Sequence, residues 1–437
     1  LKCSFFPQHR APGARPAPYA RVQLQGRKMP QLWQVVGGGD KGGILVRTGQ
    51  DLASAAAGER LTTGSNVEEL ELIGERLHYK LSEGTGPKEG WVSIKLGAKE
   101  LLKAKAEPKM FAVPTPPSDR IVVGPGSGYR HRWAVNIDDW NPKGEAEGPE
   151  FQFLLGLIRE EADQKQVMKF KFFDDKKRAM CSRLLIRQAS ASVLGHTSFK
   201  ELTIKRTKGR KPFLDSPLPP EKEAPNWNVN ASHEGSWVVC ASEPRCVAGI
   251  DVAELRRFKG NGEPIDFQKH FKDNLTASEW NDVSDAGWDL DDQYEVFSRF
   301  WSAKEAFVKA RGDGIAYPLG KAEFHWKPLS EYDERTAYEG SVVVDGKKAP
   351  LWRFVQHRMP GEKSHWTTVG RGPLTDVIDA KGEFTKTLRM EQKTFTDAAW
   401  EEALHEENPP FDVIPVAALV PKDEMEAYVK AGGTKWP

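Results

Sequence analysis

Cysteine is scarce: Cys3, Cys181, Cys240 and Cys246 are the four in 437 residues, and none form a C-x-x-C pair. That excludes a disulfide scaffold and a thiolate zinc cluster, and it points to a reducing compartment. The ten histidines show neither H-x-x-x-H nor H-E-x-x-H spacing, so a zincin-like site is excluded as well and any metal falls to carboxylates. No run approaches about 18 apolar residues, which argues against a membrane span and for a soluble protein. Charge of one sign is also lacking: 63 Lys+Arg face 62 Asp+Glu, a net +1 that removes the general case for nucleic-acid binding through phosphate attraction. Apolar residues are not lacking. At 39%, with 39 glycines, they exclude wholesale disorder and collagen-like repetition, and the length predicts two or three domains.

Residues 1–30 carry Lys2, Arg10, Arg15, Arg21, Arg27 and Lys28 and no acid. They read as a disordered tail, with a transit-peptide remnant as the alternative because the stretch is basic and acid-free. Over 31–104 short strand-like runs (33–36, 44–47, 67–73, 77–81 and 90–95) alternate with glycine-rich turns, the pattern of a small barrel. Its end, Gly90-Trp91-Val92, resembles that of SH3-like barrels, for which partner binding and a structural appendage are equal expectations. Residues 105–129 mix prolines and glycines as a linker, whose PTPPSDR stretch is a candidate ligand for the barrel. From 130 onward the texture is α+β, with helices expected over 175–192 and 294–310. Strands are expected over 201–204, 237–241, 247–252, 341–344, 351–356 and 365–369.

Four features carry chemistry. In the helix written by 294–310, Phe297, Phe300, Trp301 and Val308 form an apolar stripe; Lys304 lies within it, and Glu305 and Lys309 lie along its edge. A Glu305–Lys309 pair is ordinarily a surface i,i+4 contact of about 0.2–0.5 kcal/mol. Three ionisable groups beside an aromatic stripe instead suggest a partner, ion or ligand. The hydrophobic run Cys246–Val252 ends its pattern at Asp251, commonly a turn or cap residue, but also a rigid carboxylate able to meet Glu305 around Mg²⁺. The stretch Ile204–Pro212 holds five basic residues in nine: a solvated loop, or a phosphate cradle in which Gly209 permits close backbone approach. The stretch 228–235, a polar strand end or turn, carries His233, structural by default and functional if it reaches the same anion.

In order along the chain stand Arg132-Trp133, FFDDKKRAMCSRLLIR at 172–187, RTKGRKP at 206–212, NVNASHEGSWVV at 228–239, VAGIDV at 247–252, FKDNLTASEW at 271–280 and FWSAKEAFVKARGDGI at 300–315. This set resembles the large two-lobed 4′-phosphopantetheinyl transferases of eukaryotes over roughly 130–420. The helix W-S-x-K-E-A-F-x-K is its most specific part. The resemblance implies a pseudo-twofold α+β fold with lobes over 130–246 and 247–437, and coenzyme A in the cleft between them. It implies Asp251 and Glu305 as ligands of Mg²⁺, and Arg206, Thr207, Lys208, Gly209, Arg210 and Lys211 as the loop holding coenzyme A phosphates. Asn230, Ala231, Ser232 and His233 match the turn over the nucleotide, and Lys304 and Lys309 of the signature helix are implied as further coenzyme A-binding residues. Glu305 is then the candidate base and Lys309 the group beside the pyrophosphate.

The implied reaction moves 4′-phosphopantetheine from coenzyme A to a serine of apo acyl or peptidyl carrier proteins. The expected protein is a cytoplasmic monomer, plastid being the alternative, acting on neither nucleic acid nor membrane. A noncatalytic coenzyme A-binding scaffold that recruits partners through the barrel is the rival reading. Two departures stand out: Ala253 occupies a position where many bacterial relatives carry a third acid, leaving water or Glu234 to complete the site. Asp174 occupies a position commonly held by a ligand-binding arginine, for which Lys171 or Lys176 would compensate.

Overall fold

The computed structural model describes residues 31–97, 99–104, 127–254, 266–286, 290–314, 317–329, 337–360, 365–389, 396–406 and 408–436. The basic tail and the PTPPSDR stretch lie outside them. The described chain forms two compact units, one on each side of the 105–126 segment.

The N-terminal unit is an antiparallel seven-stranded sheet in the order Ala56–Leu61, Ile44–Arg47, Glu89–Ser93, Arg76–Glu83, Asn66–Ile73, Leu32–Val35 and Leu102–Ala104. Alternation places Ile44, Val46, Leu77, Tyr79 and Val92 inside, around Trp33 and Leu61. This barrel-like, strand-rich unit matches the small all-β domain read from the sequence. Its core of ten buried residues is small for a lone domain.

The second unit is α+β, with two lobes each built from a 22-residue helix on a sheet, antiparallel in the second lobe and mixed in the first. In the first lobe, helix Phe173–Leu194 covers a sheet ordered Asn228–Glu234, Trp237–Glu243, Arg132–Asn136 and Asp412–Val413. In the second, helix Leu290–Arg311 covers Val247–Ala253, Trp366–Gly372, Arg353–Arg358, Ala337–Val344 and Ala322–Pro328. The sequence assigned 247–437 to the second lobe and a tail. Instead Asp412–Val413 pairs in parallel with Trp133 and Ala134, and Val416, Leu419 and Tyr428 enter the first lobe's core, because this apolar tail covers a sheet edge otherwise left bare.

The lobes meet along two edge strands that run side by side, Asn228–Glu234 and Val247–Ala253. Their shared core includes Trp237, Val239, Ile250, Val252, Val369 and Phe411. Beside it lies a buried charge cluster in which Arg130 and Arg132 both engage Glu243, with Nε of Arg130 at 2.9 Å. Burial alone would raise the Glu243 pKa, but Arg130, Arg132 and Arg371 outweigh it and bring it to about 2. Among the described residues, no helix is long and apolar enough to cross a membrane.

Candidate active site

The site is built on strand Val247–Ala253, every residue of which is buried. Asp251 does not end this strand, as its sequence suggested, but sits within it, paired opposite Thr368 and 2% exposed. The helix Leu290–Arg311 lies against the strand at Gly249: a Cβ there would stand 2.0 Å from the Ala306 carbonyl oxygen and 2.4 Å from the Ala310 nitrogen. Two residues further, on the same face of the strand, is Asp251. Glycine is what lets the helix come close enough for its side chains to reach that acid.

The helix delivers Ser302, Glu305 and Lys309, spaced i, i+3, i+7 and therefore on one face. Its two outer members both bind Asp251. The Ser302 hydroxyl donates to the Asp251 backbone carbonyl at 3.2 Å, and the Lys309 ammonium donates to the carboxylate Oδ1 at 2.6 Å. Glu305, half-buried, lies between them along that face. From the first lobe, Ser232 donates to the same Oδ1 at 2.7 Å, and Lys309 also donates to the Ser232 oxygen at 2.9 Å. An acid, a base and a hydroxyl from three separate elements thus converge across the lobe boundary.

Behind them runs a buried polar chain: Ser302 and Thr368 hydroxyls at 2.5 Å, Gln356 Nε2 to Thr368 at 2.9 Å, and Gln356 Nε2 to the Arg299 carbonyl at 2.7 Å. The sequence reading missed Thr368 and Gln356, and it gave Ser302 no role beyond its place in W-S-x-K-E. The only available signal was a polar residue at an inward position of a buried strand.

The basic stretch forms a hairpin between strands Thr203–Arg206 and Pro212–Ser216. Lys208, Gly209 and Arg210 are exposed at its tip, Arg210 with φ at 68°, and a Cβ on Gly209 would lie 2.5 Å from the Gly312 carbonyl just past the end of the second-lobe helix. Thr207 is buried, its hydroxyl accepting from the Lys211 N–H at 3.1 Å. Arg206 is half-buried, with Nε 3.8 Å from Asp163. Lys211 turns inward, onto the carbonyls of Ala248 at 2.7 Å and Lys309 at 3.0 Å. Burial first, and the neighbouring Lys309 second, bring its pKa down to about 7.

In the turn-bearing hairpin, Asn230 is buried with its Oδ1 on the Ile250 N–H at 3.3 Å, while Ala231 and His233 are half-buried. Arg178 holds the hairpin's Gly235 carbonyl at 2.5 Å and is itself held by Asp175 at 2.5 Å. Lys304 is not brought to this site. Fully buried, it spends its ammonium on Glu279 at 2.8 Å and on the carbonyls of Leu319 and Ala322, away from Asp251, so the expectation that it holds a ligand gives way to a structural ion pair.

Among the described residues no three His, Cys, Asp or Glu side chains gather into a metal cluster. The side-chain hydrogen bonds from Ser232 and Lys309 to the Asp251 carboxylate both fall on Oδ1.

Comparison with known proteins identifies the family. Residues 138–245 match the family described as 4′-phosphopantetheinyl transferase, N-terminal, and residues 248–369 match the 4′-phosphopantetheinyl transferase superfamily. The boundary between the two matches falls at the start of the Asp251 strand. The chain is 30% identical over 283 residues to the L-aminoadipate-semialdehyde dehydrogenase-phosphopantetheinyl transferase of Mus musculus, covering 64% of this chain and 86% of that protein. It is 31% identical over 241 residues to the protein of the same name from Homo sapiens, covering 54% and 73%, and 27% identical over 172 residues to a 4′-phosphopantetheinyl transferase of Bacillus subtilis, covering 39% and 67%. The chain belongs to the 4′-phosphopantetheinyl transferase superfamily.

Proposed function

We propose that this protein transfers the 4′-phosphopantetheine group of coenzyme A to a serine of apo carrier proteins. The observation that carries this reading is the convergence of Ser232 from one lobe and Lys309 from the other on the Asp251 carboxylate, with Glu305 on the same helix face. The serine Oγ attacks the β-phosphorus, its bond to phosphorus forms, and the pyrophosphate bridge breaks to release adenosine 3′,5′-bisphosphate. Such a displacement asks the protein mainly to position and to stabilise charge.

Arg206, Lys208 and Arg210 with the backbone at Gly209 hold coenzyme A phosphates, and Asn230, Ala231 and His233 on the strand Asn228–Glu234 lie over the nucleotide, His233 toward the 3′-phosphate. Lys309, its ammonium drawn to the reacting side by Asp251, screens or protonates the leaving phosphate oxygen. Glu305 takes the serine proton, directly or through water. Mg²⁺, held by Asp251 and Glu305, would supply neutralisation of the pyrophosphate charge. The three described cysteines are buried and free, which supports a reducing compartment such as the cytosol.

Mass spectrometry of an apo carrier protein incubated with coenzyme A and Mg²⁺ tests the reading. Wild-type protein adds phosphopantetheine, and Asp251→Asn loses at least about a hundredfold in kcat/KM. No addition on any carrier tried would remove the function. Near-normal turnover of Glu305→Gln at saturating Mg²⁺ would remove the base role alone.

A further inference from the structure

An edge strand carries a row of backbone groups that a sheet does not pair, and strand Val247–Ala253 is such an edge. Side chains of the first lobe answer them in sequence: Asn228 Oδ1 accepts from the Ala248 N–H at 2.8 Å, Asn230 Oδ1 from the Ile250 N–H at 3.3 Å, and Lys211 Nζ donates to the Ala248 carbonyl at 2.7 Å. The second-lobe helix has its own unanswered groups, because the last four carbonyls of any helix have no partner within it. Gly312 N–H answers Val308, Ile378 N–H answers Arg311, and Lys211 answers Lys309 at 3.0 Å.

We propose that Lys211 is a positioning residue for the transfer reaction: reaching from the first-lobe hairpin, it caps the Lys309 carbonyl and thereby fixes where the Lys309 ammonium meets Asp251. A hydrogen-bond donor at an unpaired carbonyl of a helix end is favoured there, and the cap comes from the opposite lobe, so it ties the lobe register to the reacting face. A phosphate ligand would have to abandon both carbonyls and leave them buried and unsatisfied. Lys208 and Arg210, exposed at the same tip, carry no such obligation. The inference rests on the transferase reading, and it assigns Lys211 to placement of the machinery rather than to holding coenzyme A.

Steady-state kinetics of Lys211→Met and Lys211→Arg test it, with coenzyme A varied and carrier protein saturating. For Lys211→Met, kcat falls about 30- to 100-fold while KM for coenzyme A stays within about threefold, as expected of a misplaced reacting group. Lys211→Arg, which keeps donors and charge, recovers at least about a tenth of wild-type kcat. In a Lys309→Met background, Lys211→Met costs less than about threefold more, since both act through one group. Without any substrate, hydrogen exchange at Gly312, whose N–H answers Val308, accelerates in Lys211→Met. A KM for coenzyme A raised more than about fivefold would reassign Lys211 as a ligand. Unchanged kinetics, or costs that multiply in the double variant, would equally overturn the proposal. Should Lys211→Met not fold, Lys211→Gln is read by the same criteria. Wild-type turnover in the same assay separates this failure from failure of the transferase reading.

Discussion

Lys211 makes the pH dependence of stability measurable at one residue. Its side chain is buried among carbonyls with Lys309 as the charged neighbour, and its pKa falls from 10.5 to about 7, by burial first and by Lys309 second. Below about pH 7 the amine is protonated in folded and unfolded chains alike, and the site adds no slope. Above it the folded amine is neutral while the unfolded one keeps its proton up to 10.5, so stability from this site rises with pH, by at most about 1.4 kcal/mol per unit. Between about pH 6 and 8.5 the gain is about 2 kcal/mol.

Higher pH is avoided because Cys181, Cys240 and Cys246, each pushed up from 9.0 to about 12 by burial, would start to lower stability there. Methionine in place of Lys211 cannot titrate, and its two lost hydrogen bonds are a pH-independent offset. Urea unfolding of both proteins at several pH values, followed by near-UV circular dichroism, reads the difference. Wild type gains on the variant across the window. A difference that stays flat within about 0.3 kcal/mol would refute the argument, showing that the lysine remains charged in the fold.

Gly249→Ala forces the helix off its strand, because the new methyl group would stand 2.0 Å from the Ala306 oxygen; a melting temperature lowered by several degrees together with a loss of transfer activity is expected, and an unchanged protein would contradict the close approach. Lys304→Met strands the Glu279 carboxylate, 1% exposed, without its cation; it lowers stability by about 3–5 kcal/mol in urea unfolding and leaves KM for coenzyme A unchanged in whatever fraction folds, whereas a raised KM would return Lys304 to the ligand site.

What was legible in the sequence is what periodicity and motif chemistry record. The 294–310 pattern lies inside the helix Leu290–Arg311, and the 247–252 run lies inside the strand Val247–Ala253, because a buried stripe and a continuous apolar run leave marks that no neighbour has to explain. Strand Ala56–Leu61 left none: Ala-Ala-Gly-Glu-Arg-Leu buries only Leu61, and its pairing with Ile44–Arg47 comes from the barrel rather than from its own preferences. Lysines show the limit most sharply. Lys304, Lys309 and Lys211 look equally basic in the text, yet one is sealed against Glu279, one reaches Asp251, and one caps a helix from another lobe. Which carbonyls lie within reach of an ammonium depends on strands and helix ends brought together from distant parts of the chain. The chemical class of a site can therefore be read from its residue types, whereas the division between groups that touch the substrate and groups that place them is settled only by packing.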